Sequence, residues 1–211
     1  RQTYKIDANW KLVLENYLEC YHCATSHRAY AKLHTFKDLH EKVAPIVEAL
    51  LARSDEVTGV PGMSKQYTKI YRDAEGFGAC VHTMRYGLFE GNVTGSRDGQ
   101  PVAPLMGNIK DYDGGAGDYQ LGPLTFMLNY PDHCVLYRFL PRSLTETAVE
   151  LVWFIRGDAE EGKDYNREDV VWLWDHTTKE DEYIILRNNA GVNSRFFEPG
   201  PYHPEFEATL Q

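Results

Sequence analysis

No run of about 18 apolar residues interrupts this 211-residue chain, and its first residues, RQTYKIDANW, lack the charged-then-apolar pattern of a secretory leader. A membrane-spanning helix is therefore not expected, and the reading is of a soluble, cytoplasmic protein. Clustered Lys and Arg are missing too. With a net charge of -9, the chain has no basic patch for phosphate, which argues against a nucleic-acid partner. Cysteine is scarce: Cys20, Cys23, Cys80 and Cys134 are too few for a disulfide scaffold and fit a reducing compartment. Repeats, low-complexity segments and an internal linker are also absent, so one domain is expected. An initiator Met is lacking as well, and the chain is expected to be a fragment.

What is present is ordinary globular composition, 43% hydrophobic and 25% charged. Trp10, Val13, Leu14, Tyr17, Leu18 and Tyr21 recur at three- and four-residue steps, which predicts a helix from an Asp7 cap through about residue 21. A second helical pattern covers about 44–52 and is closed by VTGVPG. Between 66 and 155 the pattern becomes strand-like, with CVHTMRYGLF, PLTFMLNY, CVLYRFL and TAVELVWFI separated by Gly, Asp and Pro. The Gly-rich stretch 107–122 is expected to be a loop. A long last helix is predicted over 166–189, capped by Asn166 and stopped by Gly191, before the irregular tail FEPGPYHPEF. The expected fold is α+β: a helix-grip-like antiparallel sheet with helices packed on it, including the long C-terminal helix.

Chemistry concentrates in ENYLECYHCATSH. His22 and His27 are five residues apart, and five steps of ~100° leave their side chains roughly 140° apart on a regular helix. The helix must break for both to meet, and Thr25 and Ser26 are residues that compete for backbone hydrogen bonds. In the last helix Asp181 falls on the apolar side with Ile184 and Ile185, whereas Asp175, Glu180 and Glu182 read as solvated charges. A carboxylate so placed needs a partner. Arg138 is the bland choice; a metal shared with the two histidines is the other. Two imidazoles and a carboxylate on one face of Fe(II) leave positions open for dioxygen and a reactant.

The string ANWKLVLENYLECYHCATSH closely resembles the catalytic-domain signature of Rieske non-haem iron oxygenase alpha subunits, and the resemblance runs on through PDHCVLYRFLP, WDHTTKEDEYIIL and GVNSRFFEPGPY. It implies iron ligation by His22, His27 and Asp181. It also implies a role for Glu19, which would bridge His22 to a Rieske-cluster histidine of a neighbouring subunit. Residues 1–211 then form the mononuclear iron domain, with the Rieske 2Fe-2S domain N-terminal to it and missing here. Cys20-Tyr21-His22 and Cys80-Val81-His82 each spell only half of a cluster motif, since CxxH is absent. The resemblance further implies a homotrimer, dioxygen as co-substrate, and NAD(P)H electrons arriving through a reductase or ferredoxin.

Glu at position 19 is closest to the carnitine, betaine and choline monooxygenases, although these often carry Pro where this chain has Ala24. A small quaternary or methylated amine is the implied substrate, and 14 Tyr and 4 Trp offer walls for such a cation. Aromatic ring dihydroxylation or aromatic O-demethylation is the alternative, for which a pocket Arg or Lys is expected. From other classes come a zinc site of Cys20, His22, Cys23 and His27, and a helix-grip binding module without chemistry. Cys20 and Cys23 otherwise read as packing residues. His34, His40, His82, His133, His176 and His203 read as structural or exposed.

Overall fold

A computed structural model describes residues 1–35, 40–65 and 81–202. Cys80, His203 and the first part of the expected sheet region lie outside them, as do the side chains of His40 and His82. The elements run β1 (Gln2–Ile6), α1 (Trp10–Leu18), α2 (Cys23–Ser26), α3 (Arg28–Leu33), α4 (His40–Thr58), β2 (Val81–Gly87), β3 (Gly115–Leu121), β4 (Thr125–Asn129), β5 (Cys134–Pro141), β6 (Thr147–Phe154) and α5 (Arg167–Val192). The six strands form one antiparallel sheet in the order β1-β6-β5-β4-β3-β2.

Strands β2, β4, β5 and β6 lie where the strand-like runs place them. Their register stacks Phe126 beside Tyr137 and Tyr137 beside Leu151 on one face. With Val135, Phe139 and Val149 these side chains bury against Val13, Leu14, Tyr30, Leu173 and Trp174 from the helices. Helices α1, α3 and α5 thus cover one face of the sheet. Helix α4 packs against β2 from the other face, where a Cβ on Gly87 would come within 2.8 Å of Ile46. It extends well beyond the predicted 44–52.

Three expectations are corrected. The first is a strand, β1, which precedes the first helix and pairs with β6, the last strand. The chain therefore enters α1 later than predicted, and Asn9 rather than Asp7 caps it, its side chain accepting from the Lys11 N–H. The second concerns 107–122, half of which is strand β3 rather than loop. Its glycines mask the strand pattern for a packing reason: a Cβ on Gly115 would collide with the Arg85 guanidinium, which is ion-paired to Asp113. Third, Gly191 does not end α5. The helix continues to Val192 and is capped by Asn193, whose N–H reaches the carbonyls of Asn189 and Gly191. At the other end Asn166 caps as predicted, accepting from the Glu168 N–H at 2.8 Å.

Among the described residues, no helix is long and apolar enough to cross a membrane.

Candidate metal centre

Helix α1 stops at Leu18 because Glu19 turns extended, with φ -98° and ψ 151°. Three residues on, His22 opens the single-turn helix α2; His27, at φ -112° and ψ 75°, closes it and begins α3. The breaks thus fall at Glu19 and at His27. Thr25 and Ser26 lie inside the helical turn instead, with the Thr25 hydroxyl donating to the His22 carbonyl at 3.0 Å. This differs from the expected break but has its consequence. The two imidazoles flank one turn and face each other with ring centroids 4.9 Å apart.

Asp181 comes from α5. The buried positions Val170, Leu173, Trp174, Thr177, Thr178 and Ile185 define that helix's inner stripe, and Asp181 lies on it one turn before Ile185. Its Oδ1 is 3.1 Å from His22 Nε2 and 2.9 Å from His27 Nε2, while the two Nε2 atoms are 2.9 Å apart. Three donors about 2.1 Å from one ion and mutually at right angles stand about 3.0 Å from one another. The triangle has the size of one face of an octahedral metal site.

Both rings are oriented from behind. His22 Nδ1 donates to Glu19 Oε1 at 2.6 Å, and His27 Nδ1 donates to Glu180 Oε2 at 2.9 Å. Those bonds put the proton of a neutral ring on Nδ1 and leave the Nε2 lone pair pointing inward. Two lone pairs and a carboxylate oxygen then converge with no hydrogen between them, an arrangement that repels itself unless a cation lies at its centre. The residues fit a divalent metal. Without one, protons supply the positive charge: burial disfavours the charged His22 ring, but hydrogen bonds to Asp181 and Glu19 outweigh it and raise the ring to about 9. His27, buried more fully, is also raised, by Asp181 and Glu180 against burial.

The bland partner for Asp181 is taken elsewhere, since Arg138 pairs with Glu150 at 2.9 Å. Two charges read as solvated are not: Glu180 holds His27, and Asp175 accepts from the Tyr4 hydroxyl at 2.6 Å. Sequence reasoning missed Glu180, although its neighbour Asp181 and its four-residue spacing from His176, which it pairs with at 3.2 Å, were visible signals.

The zinc site is corrected as well. Cys23 lies within 4.8 Å of the imidazole nitrogens of His22 and His27, but Cys20 and Cys23 form a disulfide, so neither sulfur is a free thiolate. The turn after α1 folds Cys20 back until its carbonyl accepts from the Cys23 N–H. A pairing so local is not part of a scaffold of distant crosslinks, and so the small cysteine count did not signal it.

His34 is fully buried; its Nδ1 donates to the Tyr30 carbonyl, its Nε2 accepts from the Tyr130 hydroxyl at 2.8 Å, and burial lowers it to about 4. His133 is likewise buried and bonded to Asp132, whereas His176 is half exposed.

Comparison with known proteins bears on the whole chain. Residues 1–211 match the family described as ring hydroxylating alpha subunit (catalytic domain). The glycine betaine monooxygenase oxygenase subunit of Chromohalobacter salexigens is 34% identical over 206 residues, 95% of this chain and 44% of that protein. Its counterpart from Pseudomonas aeruginosa is 34% identical over 201 residues, with 95% and 46% covered. The chain thus spans less than half the length of these relatives. Among solved structures, the quaternary ammonium Rieske monooxygenase CntA, in complex with an inhibitor, superposes with a TM-score of 0.53 at 13% identity, covering 92% of this chain and 39% of that one. At that identity the likeness is one of fold.

Proposed function

The chain belongs to the ring-hydroxylating alpha subunit family, as a catalytic domain, and from that membership we propose that it forms the mononuclear-iron part of an oxygenase acting on a small quaternary amine. The observation that carries this reading is the 3 Å triangle of His22 Nε2, His27 Nε2 and Asp181 Oδ1. These three residues would hold Fe(II), which supplies the dioxygen chemistry when bound. Glu19 and Glu180 fix the tautomer and aim of the two imidazoles, and the Tyr30 ring lies edge-on to His27 at 6.4 Å with Trp174 packed behind it. The relatives' names support the substrate class, as does Glu19 in the ENYLECYHC string.

In this reading electrons reach the site from a Rieske 2Fe-2S cluster in an N-terminal domain, supplied with NAD(P)H electrons through a reductase or ferredoxin, and a homotrimer brings each cluster to a neighbour's iron. The site would work in the cytoplasm. Measured with full-length protein and a reductase, substrate-dependent oxygen uptake should be coupled to product with betaines, carnitine or choline. Coupled uptake with aromatic acids alone would overturn the amine assignment while leaving the iron assignment standing.

Metal uptake should also depend on pH, with a sign set by the raised histidines. Iron requires neutral rings, whereas the metal-free site keeps His22 protonated up to about 9. Binding therefore releases protons, and Fe(II) affinity should gain about tenfold per pH unit for each proton displaced as pH rises toward that value. Anaerobic titrations at several pH values would check this. A flat profile would mean the rings do not exchange protons for metal.

A further inference from the structure

The turn that carries His22 also holds two sulfurs, and one of them lies among the metal ligands. Cys20 and Cys23 bracket Tyr21 and His22 and are joined as a disulfide. Cys23 follows His22 directly, and its carbonyl accepts from the His27 N–H at 3.1 Å, so the single turn of α2 brings its side chain beside both histidines. The Cys23 Sγ and the two imidazole nitrogens lie within 4.8 Å of one another. Cys23 itself is buried, whereas Cys20 is only partly so.

We propose that this disulfide is a redox switch on the choice of metal. Closed, it withholds the Cys23 sulfur and leaves His22, His27 and Asp181 for Fe(II); opened, Cys23 joins them and the same site takes Zn(II). The inference rests on the metal reading above and differs from a zinc site of the turn as it stands, where neither sulfur is free. The reductant is a dithiol. One of its thiolates attacks the more accessible Cys20 Sγ, the S–S bond breaks and Cys23 leaves as a thiolate; the second reductant thiol then displaces Cys20. Two electrons and two protons pass to the chain, and the reductant ends as a disulfide. When zinc binds, the Cys23 proton goes to solvent. Zinc with nitrogens at about 2.0 Å and a thiolate at about 2.3 Å sets sulfur about 3.5 Å from each nitrogen. Cys23 therefore needs a shift of about 1 Å, which a turn about its Cα–Cβ bond supplies once Cys20 no longer holds it. A thiolate favours zinc, whereas two nitrogens and a carboxylate oxygen with open positions suit Fe(II). Zinc has no redox chemistry, so the reduced, zinc-loaded protein would be an oxygenase turned off. In the reducing compartment proposed above, disulfides are mostly transient or redox-sensing.

The test uses full-length protein, with Zn(II) and Fe(II) affinities measured anaerobically by chelator competition before and after treatment with dithiothreitol and its removal. Alkylation and peptide mass analysis of protein purified without reductant should find Cys20 linked to Cys23. Reduction should tighten zinc by about tenfold or more, the least that one added ligand is worth, and should change Fe(II) affinity far less. Two variants separate ligation from a loosened turn. Both lack the disulfide, but Cys20→Ser leaves the Cys23 thiol free and should bind zinc like the reduced wild type, whereas Cys23→Ser should bind it like the oxidised one. X-ray absorption at the zinc edge should show one sulfur at about 2.3 Å in reduced wild type and Cys20→Ser, and none in the other two. Free thiols in the purified protein, zinc affinity indifferent to reduction, or an equal gain in Cys23→Ser overturns the switch. Oxidised protein that binds neither metal would sink the triad and the switch with it; iron bound while zinc ignores the cysteines would sink the switch alone.

Discussion

Asp181→Ala protein, reconstituted anaerobically with Fe(II), should retain only a small fraction of the iron that the wild type holds, and His22→Ala should behave the same way. Either change opens one corner of a triangle whose sides are 2.9 to 3.1 Å. Losing a group that merely orients a ligand costs roughly 10–100-fold in affinity, and losing a ligand should cost at least as much. Folding should survive. Asp181 lies on the inner stripe of α5 but stays 19% exposed, and in the metal-free state its removal takes one carboxylate from a cluster that also holds Glu19 and Glu180. Metal analysis beside a thermal melt separates the two effects. Stoichiometric iron in either variant would remove these residues from the ligand set.

Glu19→Gln should have the opposite profile: iron kept, coupled turnover mostly lost. The Glu19 carboxylate is held on both oxygens, Oε1 accepting from His22 Nδ1 at 2.6 Å and Oε2 from the Tyr21 N–H at 2.6 Å. A Gln carbonyl can still accept from the imidazole, so the ring keeps its aim. What changes is the charge between His22 and the outside. Glu19 remains 17% exposed at the end of α1, in the position from which a neighbouring subunit's cluster histidine would be reached if the family's electron path holds here. Single-turnover electron transfer in full-length protein is the decisive measurement. An unchanged rate in Glu19→Gln would take Glu19 out of the path, whereas loss of iron would mean that it serves the metal site alone.

Much of this was legible in the chain. Four strands announced themselves as β-rich runs between Gly, Asp and Pro; β4 and β5 alternate because each buries one face and leaves the other more open, whereas β6 is buried at five successive positions. Helix α5 was equally plain, since its inner stripe repeats at helical spacing, and that same periodicity selected Asp181 from among four nearby acids. His22 and His27 followed from a motif whose spacing is incompatible with one straight helix. Other features depended on partners remote in sequence. Strand β1 exists because β6, more than 140 residues later, offers it an edge; five residues carry too little pattern to declare themselves. Strand β3 was hidden by its glycines, of which Gly115 leaves room for the Arg85 guanidinium and Gly117 for the Tyr119 ring. Glu180 looked solvated because a helical wheel cannot show that His27 approaches from another helix. The sequence by itself determined which residue types could hold a metal and the periods of the elements that carry them. The tertiary structure decided which charges face one another, because distance between residues remote in the chain is set by packing and not by local spacing.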